Sequence, residues 1–248
     1  MKLRSVFSIV TAVVALSCYA GDMQKAAEYY SQGDYEQSVE EYESILASGQ
    51  ESATLYYNLG NSYFRLGKMS KAIINYERSL KVDPTNEDAR HNLEFAKEKT
   101  VDKIDVPEEM FITRWWSNVR NLASADAWAY SSIALFSLFV IALLCYIFST
   151  RLSLKKSGFA LSLVALVFSA ITFVLAYQQN AIQTDNSHAI IFAPTVTIKS
   201  TPDVSGTDLF ILHEGTKVEI REYVGSWAEI VTEDGSKGWI DVNAIEII

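Results

Sequence analysis

Two long stretches without a charged residue, Trp128 to Phe148 and Gly158 to Tyr177, restrict what this chain can fold into more than any other feature. Each is close to the roughly 20 residues that a helix needs to cross the hydrocarbon core of a bilayer. Two buried helices of a soluble protein are the alternative, but the complete lack of ionisable groups over this length disfavours it. We therefore predict two transmembrane helices, over residues 127–148 and 158–177.

The segment between these helices indicates which way the hairpin faces. Residues 149–157 contain three basic residues and no acid: Arg151, Lys155 and Lys156. Because basic residues in short loops collect on the cytoplasmic side, we predict a cytoplasmic loop here, with the flanking segments on the other side of the membrane.

Small residues recur along the second span at alternating intervals of four and three. This spacing predicts that they share one seam against the first span. They are Gly158, Ser162, Ala165, Ser169, Thr172 and Ala176.

The N-terminus has the pattern of a secretory signal peptide. Lys2 and Arg4 precede an uncharged apolar stretch, and Ala20 is a small residue at the expected cleavage point. We predict a signal peptide over residues 1–20; a lipoprotein signal with Cys18 as the lipidated residue is the alternative. Either reading agrees with the loop charges and predicts a bacterial inner-membrane protein whose two soluble parts are periplasmic.

Just before the first span, residues 107–126 are predicted to form an interfacial amphipathic helix. On a helical wheel its apolar residues fall within an arc of about 140°, and polar residues take the opposite side. Packing on a neighbouring soluble domain is the alternative reading. The apolar residues are Phe111, Ile112, Trp115, Trp116, Val119 and Leu122.

The amino-acid composition argues against several classes of function for this chain. The chain has 21 Lys and Arg against 30 Asp and Glu, so it lacks the basic surplus of a nucleic-acid-binding protein. Both cysteines lie in apolar stretches, and the three histidines have no metal-ligand spacing. No nucleophile with an adjacent base and no phosphate-binding glycine motif occurs. We predict no catalytic site, no cofactor and no metal.

Residues 21–106 repeat themselves at an offset of 34. This offset aligns Gly33 with Gly67 and Tyr42 with Tyr76. The second copy resembles the tetratricopeptide repeat (TPR), a pair of antiparallel helices in which Gly60 and Ala72 allow close contact. The third helix, predicted to begin at Thr85 as its N-cap, resembles the capping helix of such arrays.

In TPR proteins the first helix of each repeat lines a concave groove. The resemblance implies a peptide-binding groove, whereas simple packing and solvation of the same side chains is the alternative. The implied groove residues are Tyr30, Tyr57, Asn58, Asn61, Phe64, Arg65 and His91.

Beyond a predicted linker at 178–191, residues 192–248 carry five short β segments between glycine turns. With Trp227 upstream and Gly238-Trp239-Ile240 at the close, this all-β segment resembles a bacterial SH3 domain. The resemblance implies a groove for cell-wall peptides or proteins, with Tyr223, Trp227 and Trp239 as contact residues. Partial burial of Trp239 in the barrel is the alternative for that residue.

Taken in order, these segments resemble the BatE-type proteins of the Bacteroides aerotolerance operons. The resemblance includes the Thr113–Trp116 stretch and the Ser205–Phe210 stretch. It implies other Bat-type membrane proteins as partners, including von Willebrand A-type components, and a role in aerotolerance or stress resistance.

Three functions remain open on the sequence alone. The first is a protein–protein interaction scaffold anchored in the membrane, with no enzymatic activity. The second is a sensor or anchor that binds peptidoglycan through the SH3 domain. The third, an enzyme or electron carrier that relieves oxidative stress, lacks a recognisable site.

Overall fold

A computed structural model describes residues 21–104 and 110–248. The predicted signal peptide lies outside the described residues. Within them, one compact unit combines residues 21–80, 86–104 and 186–248, and a second contains residues 81–85 and 110–185. The first unit therefore joins the repeats and the β segment, which the sequence treated as two separate domains.

The repeat region is helical throughout. After a helix over residues 21–32 (α1) come α2 (Tyr35–Ala47), α3 (Ala53–Arg65), α4 (Met69–Val82) and α5 (Glu87–Lys97). Gly33 and Gly67 end the first helix of each pair at φ 84° and 73°, a conformation that glycine adopts without strain.

The N-cap prediction for α5 was wrong by one residue. Asn86 is the cap, and its side chain accepts a hydrogen bond from the Ala89 amide at 3.0 Å. The Thr85 amide and hydroxyl instead donate to the Asp83 carboxylate, which closes the turn before the helix.

Helices α3 and α4 touch where the repeat pattern predicted. A Cβ atom at Gly60 would lie 2.7 Å from Cε1 of Tyr76 and 3.3 Å from the carbonyl oxygen of Ala72. Such distances leave no room for a side chain, so the glycine lets the Tyr76 ring approach the backbone of α3 closely. Large apolar residues fill the rest of the core, including Tyr42, Leu55, Leu59 and Ile73.

The C-terminal segment forms a seven-stranded antiparallel sheet in the order β3-β2-β6-β5-β4-β1-β7. All five predicted strands are present. The strands are β1 (His188–Ile191), β2 (Thr195–Lys199), β3 (Asp208–His213), β4 (Lys217–Val224), β5 (Trp227–Thr232), β6 (Lys237–Asp241) and β7 (Ile245–Ile247), with a 3-10 turn at Val242–Ala244.

The structure contradicts the predicted linker at 178–191. A helix continues through its first half to Thr184, and β1 occupies its end. Strand β1 lacks the alternation of a half-buried strand, because Ala189, Ile190 and Ile191 are all fully buried. Strand β3 was also missed, since Leu209 and Ile211 are exposed apolar residues that hide its alternation.

The burial of β1 has a specific cause. Ala189 and Ile191 pack in the core of the barrel, whereas Ile190 packs in the core of the repeats, together with Phe192 and Ile248. One short strand thus supplies side chains to both cores. The repeats and the barrel are therefore joined by apolar packing, because residues of the barrel segment complete the core of the repeats.

The second unit contains α6 (Phe111–Arg120), α7 (Ala125–Phe148) and α8 (Leu152–Thr184). By length and composition, α7 and α8 are able to cross a membrane. Helix α8 begins inside the predicted loop 149–157 and runs past residue 177, because nothing in either flank breaks a helix.

The predicted small-residue seam is confirmed in α8. All six of its residues are buried against the other helices of the hairpin. A Cβ at Gly158 would lie 3.0 Å from both the carbonyl oxygen of Ala142 and the amide nitrogen of Tyr146. Ser132 and Ser169 each donate a hydroxyl hydrogen bond to the other's carbonyl oxygen at 3.1 Å. These reciprocal bonds hold the two helices in register.

Helix α6 is amphipathic, as predicted, and part of the predicted range (105–109) lies outside the described residues. Phe111, Ile112 and Trp115 are exposed on one side of it. On another side, the Trp116 indole donates to Oε1 of Gln178 in α8 at 2.8 Å. Its insertion at a membrane surface stays a prediction.

Candidate functional site

The open face of the repeats contains a cavity of about 330 Å³. Five of the seven residues predicted for the groove line it, together with three residues that the sequence did not single out. The lining residues are Tyr30, Asn61, Phe64, Arg65, Tyr76, His91, Asn92 and Phe95. The cavity brings together helices α1, α3, α4 and α5.

Asn61 forms part of the cavity wall through two hydrogen bonds. Its Oδ1 accepts from the Tyr76 hydroxyl at 2.7 Å and from Nδ2 of Asn92 at 2.8 Å. Burial raises the pKa of Tyr76, so this hydroxyl stays protonated and able to donate. The TPR resemblance implied Asn61 as a groove contact residue, and these bonds give it a structural role as well.

Arg65 is positioned by an aromatic neighbour. Its Nε and Nη2 donate to the Tyr35 hydroxyl at 3.0 and 2.7 Å, and its guanidinium lies over the Tyr35 ring at 5.1 Å from the centroid. The Tyr35 ring in turn meets Tyr30 edge-on at 5.3 Å. The hydrogen bond from Arg65 to Tyr35 raises the pKa of Arg65, so the cavity contains a fixed positive charge.

Two predicted groove residues do not line the cavity. Tyr57 packs against the repeat core, with its ring 6.3 Å from that of Tyr76. The Asn58 side chain hydrogen-bonds Tyr42, and its carbonyl oxygen accepts from Ser62 at 3.0 Å. Both residues lie one turn before Asn61 on α3, where Tyr57 contacts α4 and Asn58 contacts α2.

Phe95 is the most informative residue that sequence reasoning missed. It is 46% exposed and lies 5.6 Å from Phe64, ring centroid to ring centroid. Its position, four residues after His91, puts both on one face of α5, and that spacing was available in the sequence.

On the barrel, strand register separates the three predicted contact residues. Glu229 is paired with Trp239, so Trp239 lies on the same outer face as Trp227, two residues before Glu229. Both tryptophans are half-buried. Tyr223 is paired with Ala228, which is buried in the barrel core, so Tyr223 belongs to the opposite face. Tyr223 therefore cannot form one surface with Trp227 and Trp239.

The other side of the repeats is closed by the barrel and contains a buried ion cluster. Glu77 of α4 accepts from Lys97 at Oε1 and from Lys217 of β4 at Oε2, both at 2.8 Å. Burial alone would raise the pKa of Glu77, but the two ammonium groups outweigh it and hold the pKa at about 2.

Asp102 makes a second polar junction between repeats and barrel. Its carboxylate accepts from the His213 amide at 2.7 Å, from Thr216 at 2.7 Å, and lies 2.8 Å from Nδ1 of His213. Burial opposes ionisation here too, yet these donors lower the pKa of Asp102. No group of three or more His, Cys, Asp or Glu in residues 21–104 and 110–248 is arranged to hold a metal ion.

Comparison with known families agrees with this geometry. A tetratricopeptide repeat model matches residues 53–86, a second TPR model matches residues 26–67, and a bacterial SH3 domain model matches residues 194–246. No curated protein matches the chain. The chain thus combines TPR repeats, two long apolar helices and a bacterial SH3 domain. TPR repeats suggest protein–protein interaction, and the bacterial SH3 domain suggests cell-wall binding.

Proposed function

We propose that this chain is a membrane-anchored scaffold whose repeat cavity binds a segment of a partner protein. The observation that carries the proposal is the open cavity, in which aromatic rings, a fixed guanidinium and free polar groups converge on one face. Such a mixture is typical of sites that bind peptide side chains. The buried opposite face makes the support for this cavity rigid.

The place of the scaffold follows from the hairpin. We propose that α7 and α8 cross the inner membrane, with residues 149–157 cytoplasmic and both 21–126 and 178–248 periplasmic. Three basic residues in the connecting segment and the N-terminal signal pattern support this orientation. Protease added to spheroplasts should then degrade both soluble segments, and protection of the SH3 domain would exclude this topology.

The partners we propose are other Bat-type membrane proteins, including von Willebrand A-type components, in a complex linked to aerotolerance or stress resistance. The order of segments, which resembles BatE-type proteins, supports this choice. A scaffold role also fits module types that are typically non-catalytic.

Photocrosslinking in cells tests the scaffold proposal. A photoreactive amino acid replaces Phe95 inside the cavity and, as the control, Val101, which is more exposed at 68% but lies outside it. We expect a Bat-type partner to be captured from position 95 and not from position 101. Equal capture from both positions, or none from position 95, would count against a groove that binds a partner.

Peptidoglycan binding is the second candidate function, supported by the two half-buried tryptophans that share the outer face of the barrel. The test uses the full chain in detergent, because the barrel and the repeats share a core. We expect sedimentation with purified cell wall, loss of it in the Trp227→Ala/Trp239→Ala double variant, and retention in Tyr223→Ala. Equal sedimentation of the unaltered chain and both variants would exclude the tryptophan face as the binding site.

A further inference from the structure

The charge of the repeat cavity differs from that of the segment around it. Residues 21–106 contain 16 acidic and 10 basic residues, so the repeats as a whole are acidic. Within the described part of the chain, the cavity lining nevertheless includes Arg65 and His91 and no carboxylate. A local positive charge on an acidic domain favours a negatively charged ligand at this position.

Asn61 and Arg65 use some of their hydrogen-bonding groups within the protein, and the unused donors are the ones available to a ligand. Asn61 uses Oδ1 for its two neighbours, which leaves its Nδ2 hydrogens to donate to a ligand. Arg65 uses Nε and Nη2 on Tyr35, so its Nη1 hydrogens remain. No protein bond from either nitrogen is found among the described residues. These two donors are four residues apart on α3 and therefore share one face.

Next to these donors lies an aromatic surface. The rings of Phe64 and Phe95 are 5.6 Å apart and tilted by 46°, and Phe95 is 46% exposed. An apolar side chain placed against this pair would bury ring surface that now faces water. The cavity thus offers an apolar contact and an anion contact side by side.

We infer that the segment bound by this cavity presents a carboxylate beside a large apolar side chain. This inference rests on the proposed function. The carboxylate pairs with Arg65 and accepts from Asn61, and the apolar side chain packs on Phe64 and Phe95. A guanidinium held by a neighbouring hydroxyl binds a carboxylate with little loss of conformational freedom. Partner segments with a basic or purely apolar centre are excluded by the same geometry.

The test uses four pools of fluorescent dodecapeptides with random flanks and a fixed central pair: Glu-Phe, Gln-Phe, Glu-Ser or Lys-Phe. Each pool is titrated with the full chain in neutral detergent, and binding is followed by fluorescence anisotropy. We expect the Glu-Phe pool to bind at least about tenfold more tightly than the Gln-Phe pool, the size typical of one charge-assisted hydrogen bond. Its binding should weaken as salt is added.

Matched variants assign the effect to the cavity. Arg65→Ala should bind the Glu-Phe and Gln-Phe pools equally, whereas Arg90→Ala, which removes an arginine from the same domain outside the cavity lining, should keep the preference. Phe95→Ser should remove the advantage of Glu-Phe over Glu-Ser.

Equal binding of Glu-Phe and Gln-Phe to the unaltered chain overturns the inference, and so does binding of no pool. In either case, capture from position 95 in cells decides the proposed function separately. Capture there of a partner through a basic or uncharged segment would support the proposed scaffold function and refute only the inference that the bound segment is acidic.

Discussion

The two faces of the repeat helices differ in what their polar side chains contact. On the open face, Arg65 and Asn61 border a cavity. On the closed face, Glu77 is paired with Lys217 of the barrel. Both faces look alike in sequence, as polar positions on amphipathic helices. Where the barrel covers the repeats, Glu77 is fully used in holding the two modules together, whereas on the uncovered face Arg65 and Asn61 keep donors that a ligand can reach.

The largest effect is expected on the closed face. Glu77→Gln removes a nearly buried carboxylate from two partly exposed ammonium groups, and losing both charge-assisted hydrogen bonds should cost about 2 to 3 kcal/mol. Urea unfolding of the full chain in detergent measures the loss, followed by the fluorescence of Trp227 and Trp239 in a background where the other three tryptophans, at 115, 116 and 128, are replaced by Phe. A change below about 1 kcal/mol would mean that the cluster is solvated and does not join the two modules.

The same cluster predicts acid sensitivity. The pKa of Glu77 in the folded chain, about 2, lies below its ordinary value of about 4.3, so its contribution is complete above pH 4.3 and is lost as pH falls towards 2. Each pKa unit corresponds to about 1.4 kcal/mol. The unfolding free energy of the unaltered chain should therefore decrease between pH 4.3 and 2.

Glu77→Gln is the control for this pH dependence. Its unfolding free energy should fall less over the same range, with Asp102, whose pKa is also lowered, supplying part of the remainder. An identical pH slope in both proteins would assign the acid sensitivity to other groups.

A substitution inside the repeats ranks next. Gly60→Leu forces a side chain into the Tyr76 ring and should cost about 1 to 3 kcal/mol by overpacking. Because Tyr76 also lines the cavity, binding at the open face should be lost with stability. Unchanged thermal melting by circular dichroism would refute the close contact of α3 and α4.

Asn61→Ala tests a residue that both stabilises the fold and lines the cavity. It removes the acceptor of Tyr76 and Asn92, so the unfolding free energy should fall by about 1 kcal/mol, in addition to any loss of binding. Asn58→Ala, one turn earlier on the same helix and outside the cavity, is the matched control for the loss of binding. A stability change within about 0.3 kcal/mol for Asn61→Ala would mean that these two hydrogen bonds do not stabilise the fold.

The smallest effect on stability is expected at Arg65. Its side chain is exposed, so Arg65→Ala should change the unfolding free energy by about 0.5 kcal/mol or less while removing partner capture from position 95. A destabilisation similar to that of Glu77→Gln would erase the distinction between the two faces.

Much of this architecture was readable from local signals. The 34-residue offset predicted the helix pairs and the contact at Gly60, and the alternating small residues predicted the buried seam of α8, because both patterns act within one helix or between neighbours. Five of the eight residues that line the cavity were implied by the resemblance to TPR proteins. Phe95 could have been found in the same way, from its spacing to His91.

Local sequence patterns were enough to assign the kinds of segment and their order: two helical repeats, two apolar helices and a small barrel. That the repeats and the barrel form one unit became visible only in the folded chain, through Ile190 in the repeat core and Glu77 between Lys97 and Lys217. Periodicity reports which side of an element is apolar, but not which distant element covers it. Lys217 lies 140 residues from Glu77 along the chain, and two long apolar helices separate Ile190 from the repeat helices in the sequence, so no local pattern could assign these contacts.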